Sequence, residues 1–215
     1  MKRAIIGCGI IKSDIEGIIR ELPYEATVIW LDETLHNIPD NLRTVLQETI
    51  DGLQDYDEII ITYALCGNAL LGIKSEKASL IFIRGDDCIY ADMCHRPDYF
   101  DLRRTSIFLS RGWLSTDRNP KTEYEKSVEK YGERRTRMIY EALYHNYKHL
   151  VYMKMEDELD EKTKKTLDDF AEIMDVDILV LDGSVEMYRD LLELRPSEHI
   201  IKLPPGTEIT QDLFR

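Results

Sequence analysis

The sequence predicts an α/β fold, with a mostly parallel, Rossmann-like sheet and helices on both faces. Three observations indicate this fold. Short apolar runs rich in β-branched residues alternate with longer segments in which apolar residues recur every three or four positions. The runs are apolar throughout, which is typical of strands buried on both faces. Their order, strand then helix then strand, implies right-handed crossovers and parallel pairing.

The N-terminal part of the chain predicts four strands and two helices. The strands are expected at 3–8, 27–31, 58–62 and 80–84. The first helix has Ser13 as its expected N-cap and Glu16 three residues later, the spacing of a capping box. The second helix is expected at about 40–53, because its apolar residues keep helical spacing without a slip.

The C-terminal part continues the alternation after a break at 94–97. Asn119 and Pro120 are suited to the N-cap and first position of a long helix, in which Gly132 is a weak point. Its expected buried seam includes Tyr124, Tyr131 and Met138. The other elements expected here are a strand at 106–109, a loop at 110–114, a strand at 150–153, a helix at 160–174, a strand at 178–181, a helix from 182–184 and a strand at 199–201.

Two domain organisations fit this element count. In the first, residues 1–103 form an N-terminal α/β lobe that carries the cysteines discussed below, and residues 104–215 form a C-terminal α/β lobe. In the second, one continuous mixed sheet runs through a single domain. A chain of 215 residues is long enough for either arrangement.

Composition excludes several classes of partner. A net charge of −13 argues against nucleic acid and against anionic membrane surfaces, both of which need a basic footprint. The apolar runs are all well short of the roughly 20 residues that span a bilayer. We therefore expect a cytoplasmic protein, whose four cysteines are either buried small residues or a functional set rather than disulfides.

Three cysteines follow three predicted strands. Cys8 ends the first strand, Cys66 follows the third, and Cys88 follows the fourth. Open α/β sheets place ligand sites outside the carboxyl ends of their strands, so the three thiols are expected to form one site. Three thiolates can hold zinc with an open fourth position, or an iron–sulfur cluster with one iron free. The alternative is three buried thiols without a ligand.

Other polar residues near these strand ends are candidates for an adjacent pocket. His36 could be a ligand, an acid–base group or a residue that orients a ligand, although such histidines are more often structural. The whole expected set is His36, Asn37, Gly67, Asn68, Asp86, Asp87 and Trp113. Cys94 is more consistent with a structural role. Gly7-Cys8-Gly9 lacks the third glycine of a dinucleotide-binding motif.

Several segments resemble the domain-of-unknown-function family 1638. The resemblance runs over nearly the whole chain, and its most specific blocks are Leu65-Cys66-Gly67-Asn68 and Asp86-Asp87-Cys88-Ile89. It includes Cys8 after the first strand, and it also rests on Leu35-His36-Asn37, Gly112-Trp113, Lys130-Tyr131-Gly132-Glu133 and Pro204-Pro205-Gly206.

The resemblance implies a link to methyl-group metabolism, since members occur near corrinoid-dependent methyltransferases. It does not establish an activity. We therefore expect a cysteine-ligated zinc or iron–sulfur protein, with a small molecule or a corrinoid protein as partner and a corrinoid as a further candidate cofactor. The alternatives are a non-catalytic accessory or binding protein of a corrinoid methyltransferase system, and a thiol-only fold whose function lies elsewhere.

Overall fold

The computed structural model describes residues 1–116, 119–155 and 159–214. Its strands are β1 Arg3–Cys8, β2 Ala26–Leu31, β3 Glu58–Ile61, β4 Ser79–Ile83, β5 Ser106–Leu109, β6 His149–Lys154, β7 Asp177–Asp182 and β8 Ile200–Leu203. Its α-helices are α1 Lys12–Arg20, α2 Pro39–Asp51, α3 Cys88–Met93, α4 Tyr99–Thr105, α5 Arg111–Leu114, α6 Pro120–Tyr131, α7 Glu133–Tyr144, α8 Glu161–Met174 and α9 Glu186–Leu192. The predicted α/β class is confirmed.

The chain forms two compact units. The first unit comprises Met1–Asp92 and Ser184–Arg215, and the second comprises Met93–Gly183. This division differs from the predicted lobes at 1–103 and 104–215. The reason is that β8, near the C-terminus, pairs with β4, so the last part of the chain belongs to the first unit. Within the described residues, no helix has the length and apolar character needed to cross a membrane.

The first unit is built on a five-stranded sheet in the order β2-β1-β3-β4-β8. The first four strands are parallel, and β8 runs antiparallel at the edge. Apolar side chains of α2 pack on this sheet because Leu42, Leu46 and Ile50 recur every four residues and are fully or almost fully buried. The carboxyl ends of β1, β2, β3 and β4 consequently share one edge of the sheet.

A buried ion network lies at the opposite edge, where these strands begin. Glu58, the first residue of β3, is 3% exposed. Its carboxylate accepts hydrogen bonds from Arg3 of β1 at 2.5 Å and from Lys202 of β8 at 2.5 Å. The network therefore joins three strands of the sheet. Its three residues are far apart in the sequence, and no sequence pattern relates them.

The second unit is a three-stranded parallel sheet in the order β5-β6-β7. Its core includes Leu150, Tyr152, Leu167 and Phe170, all at most 1% exposed. Asp160 caps α8 by accepting a hydrogen bond from the backbone N–H of Thr163 at 2.7 Å.

Three details of the predicted helices are wrong. The predicted Ser13 cap is incorrect because α1 begins at Lys12, directly after a 3₁₀ turn at Gly9–Ile11. The segment 110–114 contains the short helix α5 rather than a loop, and Ser110 accepts a hydrogen bond from the backbone of Trp113. The long helix is instead two helices, α6 and α7, separated by Gly132 with a φ of +79°.

The helix break at Gly132 also changes the predicted seam. Glycine adopts a positive φ readily, so α6 ends there and α7 takes a new direction. Tyr124 is buried as predicted, but Tyr131 and Met138 are 43% and 62% exposed. The Asn119 cap and Pro120 start of α6 are confirmed, with the Asn119 side chain accepting a hydrogen bond from the N–H of Thr122 at 3.1 Å.

Candidate functional site

The candidate site lies in the first unit, at the edge where the parallel strands end. Register aligns Ile6 of β1 with Ile61 of β3, and the backbone N–H of Thr62 donates to the carbonyl of Ile6 at 3.0 Å. Cys8 is the last residue of β1, two residues beyond this pair. The thiol of Cys8 is therefore presented at the same edge as the loop that follows β3.

Two backbone hydrogen bonds tie the loops after β3 and β4 together. The N–H of Leu65 donates to the carbonyl of Gly85 at 2.9 Å, and the N–H of Cys66 donates to the carbonyl of Asp86 at 2.7 Å. Cys88 then begins α3. The segment carrying Cys66 and the segment carrying Cys88 are thus joined directly by their main chains.

The Cys66 loop has an unusual backbone. Cys66, Gly67 and Asn68 have successive φ values of +45°, +68° and +72°. The left-handed region costs a residue with a side chain about 1–2 kcal/mol, so the surroundings must impose this conformation on Cys66. One restraint comes from α2, where Arg43 donates a hydrogen bond to the carbonyl of Asn68 at 2.8 Å.

The loop before Cys88 is shaped by its two aspartates. Asp86 supplies the carbonyl that accepts the N–H of Cys66. The Asp87 side chain accepts a hydrogen bond from the N–H of Tyr90 at 2.9 Å, and its carbonyl accepts one from the N–H of Ala91 at 3.2 Å. Asp87 therefore starts α3 and fixes the position of Cys88 at its first residue.

The pKa values of the three thiols are all raised. Burial is the largest cause for each of them. The charge of Cys8 raises the pKa of Cys66 further, and the charges of both Cys8 and Cys66 raise the pKa of Cys88. Each of the three thiols therefore lies close enough to the other two to take part in a charge interaction with them. With raised pKa values the thiols stay protonated near neutral pH and are weak nucleophiles.

The charged neighbours of the thiols are themselves acidic. Glu33 raises the pKa of Cys8, Asp87 raises those of Cys66 and Cys88, and Asp92 raises that of Cys88. Burial, and then the charges of Asp14 and Asp87, raise the pKa of the Asp92 carboxyl well above its ordinary value. The site therefore concentrates groups that cannot all ionise without a nearby cation.

All four cysteines are half-buried and none is in a disulfide. Among residues 1–116, 119–155 and 159–214, no three or more His, Cys, Asp or Glu side chains already stand in a metal-binding arrangement. Cys94 follows α3 by one residue and belongs to the second unit.

The other predicted pocket residues have different positions. His36 and Asn37 lie in the 3₁₀ turn Glu33–Asn37 after β2, and Gly67 and Asn68 are exposed in the Cys66 loop. Burial lowers the pKa of His36, while Glu33 acts in the opposite direction. Trp113 is in α5 of the second unit, where it packs against that unit's core.

The structure adds three residues that the sequence reasoning missed. Tyr63 is 3% exposed, and its hydroxyl has no hydrogen-bond partner among the described residues, but it lowers the pKa of the Cys8 thiol against the larger effect of burial. Asp92 is 2% exposed and Tyr188 of α9 is 1% exposed. Asp92 could have been noticed because it lies one helical turn after Cys88. Tyr188 carries no sequence signal that relates it to the cysteines.

Comparison with known proteins gives one match. The family described as "Protein of unknown function (DUF1638)" matches residues 30–192, which includes Cys66 and Cys88 but not Cys8. Neither the curated proteins nor the solved structures contain a match to this chain. Since the matched range covers most of the sequence, the chain belongs to the DUF1638 family.

Proposed function

We propose that this protein carries a metal centre in which Cys8, Cys66 and Cys88 bind either one zinc ion or one iron–sulfur cluster. The observation that carries the proposal is the position of these cysteines, which are far apart in sequence yet follow three neighbouring parallel strands at one edge. Thiolates suit both kinds of centre, so ligand type alone does not choose between them.

The charge of the surroundings supports a cation at this position. In their ionised forms Asp87 and Asp92 oppose the ionisation of thiols that burial already makes difficult to ionise. A bound cation reverses this effect, because a coordinating thiol is deprotonated outright. Metal binding would therefore supply the positive charge that lets the thiols ionise beside these carboxyl groups.

Binding requires the side chains to converge on one ion. Zinc–sulfur bonds are about 2.3 Å long, and the half-buried thiols do not start from a ready-made arrangement. Each cysteine has a single rotatable side-chain bond, χ1, and the loops of Cys66 and Cys88 are already joined by the hydrogen bond to Asp86. We expect rotation about χ1 to bring the sulfurs together when the metal enters.

Three protein thiolates leave room for another ligand. An open position on zinc could activate a thiol or another methyl acceptor, and a cluster with a free iron could support reductive chemistry. A role beside a corrinoid, as cofactor or partner, stays a prediction from the family resemblance, as does the accessory role. Four cysteines without a disulfide suit a reducing compartment, so we expect the protein in the cytoplasm.

The direct test is metal analysis and a visible spectrum of protein purified without oxygen. We expect about one zinc per chain, or iron with acid-labile sulfide and a brown colour. Protein that is colourless, metal-free, and unable to take up either zinc or iron with sulfide would contradict the proposal.

Replacement of Gly67 by alanine tests the role of the Cys66 loop. Its φ is +68°, and a new Cβ would lie 3.0 Å from Cγ of Pro39. We expect a loss of about 1–2 kcal/mol in the free energy of unfolding and weaker metal retention, because the loop must shift. Denaturant titration and metal analysis measure the two effects.

Gly72→Ala is the matched control for this variant. Gly72 has a φ of +85°, and a Cβ there would meet nothing within 4 Å. We expect a similar loss of stability but unchanged metal content. Equal metal content in both variants would show that the loop conformation does not matter to the site.

A further inference from the structure

The helix α7 of the second unit exposes apolar side chains along one side. Met138 and Leu143 are both 62% exposed, and Ile139 is 38% exposed. Spacings of three and four residues place neighbours on one face of a helix. Met138, Ile139, Ala142 and Leu143 therefore form one exposed strip, which we call the α7 stripe. A continuous apolar strip of this kind, unlike scattered exposed residues, indicates a surface that binds a partner.

The opposite side of α7 is the one that packs on its own unit. Thr136 is fully buried, and Tyr140 and Tyr144 pack against the core of the unit. The ring centroids of Tyr124 and Tyr140 lie 4.9 Å apart. These inward residues of α7 recur every four positions, so they define one face of the helix, and the α7 stripe lies outside it. Substitutions in the stripe should therefore leave the fold of the unit intact.

Three arginines accompany the α7 stripe. Arg134, Arg135 and Arg137 are exposed, and within the described part of the chain none of them forms an ion pair. The Arg135 guanidinium lies 5.6 Å from the centroid of the Tyr131 ring. Residues 130–148 contain five Lys or Arg and two Glu, a net charge of +3, whereas the whole chain has a net charge of −13. The outer side of α7 is thus a basic and apolar surface on an acidic protein.

The charge of this surface favours an acidic partner, because arginine pairs with carboxylates through two parallel hydrogen bonds. A second copy bound through the same face would bring two segments of charge +3 together, which disfavours a symmetrical contact. An extended anionic membrane would also face the acidic remainder of the chain. Salt screens charges over about 8 Å, so a partner the size of one helix is affected mainly by the local positive charge.

We propose that the α7 stripe binds an amphipathic helix of another protein, whose carboxylates pair with Arg134, Arg135 and Arg137. The apolar side of such a helix would cover the stripe, and its Asp or Glu residues would give the three arginines the ion-pair partners that the described chain does not provide. The surface belongs to the second unit, so this inference does not depend on the metal centre proposed in the first unit.

The test uses the full chain and two fluorescent peptides of about 18 residues, or five helical turns. The acidic probe has leucines at helical spacing flanked by glutamates, and the basic probe has lysines in place of the glutamates. Fluorescence anisotropy measures binding. We expect the acidic probe to bind at least about tenfold more tightly than the basic probe. Raising the salt concentration from about 0.05 M to about 0.5 M should weaken binding of the acidic probe, because exposed charges are screened.

Two variants locate the contact on α7. Leu143→Asn should weaken binding of the acidic probe about tenfold, because the contact buries this side chain, and Arg134→Gln should weaken it about threefold. Phe100→Asn and Arg104→Gln are the matched controls, since these side chains are 67% and 74% exposed on α4 of the same unit. Both controls should bind the probe like the original protein. Thermal unfolding of all four variants shows that they fold.

The remaining outcomes would each overturn the inference. These are an acidic probe that does not bind, equal binding of the two probes, and equal binding by Leu143→Asn and Phe100→Asn. Sedimentation that shows a dimer of the original chain but a monomer of Leu143→Asn would make a second copy the occupant instead. Binding to phosphatidylserine vesicles that is lost in Leu143→Asn would make a membrane the occupant instead.

Discussion

Replacement of Cys66 by serine (Cys66→Ser) is expected to abolish metal retention. The backbone N–H of Cys66 donates to the carbonyl of Asp86, two residues before Cys88, and replacement of Cys66 removes one of the three proposed ligands. A serine hydroxyl is a poor ligand for a thiophilic cation, and we expect metal content to fall from about one centre per chain to almost none. Elemental analysis after gel filtration in the presence of a weak chelator measures this change.

Cys94→Ser is the control for this prediction. Cys94 is half-buried and outside any disulfide like the other three, but it belongs to the second unit. Its replacement should leave the metal content unchanged. If Cys66→Ser and Cys94→Ser retained equal amounts of metal, Cys66 would not be a ligand.

Replacement of Glu58 by alanine should cause the largest loss of stability outside the site. The change leaves the partly buried Arg3 and the exposed Lys202 without the carboxylate that accepts their hydrogen bonds. Because the charges left behind are only partly buried on Arg3 and exposed on Lys202, we expect a loss of about 1–3 kcal/mol in the free energy of unfolding. Denaturant titration checks this, and Glu25→Ala, at an exposed position before β2, should change stability by less than about 0.5 kcal/mol.

The same network predicts a pH dependence. Burial acts to raise the pKa of Glu58, but the hydrogen bonds and charges of Lys202 and Arg3 outweigh burial and lower it below its ordinary value of 4.5. A carboxyl group with a lowered pKa stabilises the folded state above its unfolded pKa. That stability is lost as the pH falls through the folded pKa. In Glu58→Ala the loss of stability between pH 5 and about pH 3 should be smaller than in the original protein. Equal losses in the two proteins would contradict a role for this network.

The fold class was predictable because local patterns decide it. The apolar runs of β1, β3 and β4 are buried on both faces, and their β-branched residues identify them without reference to the rest of the chain. The two-unit division was not predictable in detail. It depends on the antiparallel pairing of β8 with β4, a contact between distant segments that leaves no periodic signal.

The same contrast applies to the site. Cys8, Cys66 and Cys88 could be grouped from sequence because each follows a strand, and parallel strands end at one edge. The positive φ of Cys66 could not be predicted, since hydrogen bonds from other segments impose it. Tyr188 also escaped prediction. Only the packing of α9 in the first unit brings its phenol to cysteines that lie far away in the chain.

X-ray absorption spectroscopy of the metal-loaded protein tests the central claim most directly. We predict three protein sulfur atoms around the metal, at about 2.3 Å for zinc, and loss of the metal–sulfur signal together with the bound metal in Cys8→Ser, Cys66→Ser and Cys88→Ser alike. A metal surrounded only by nitrogen and oxygen, or a spectrum unchanged in any of these three variants, would contradict it.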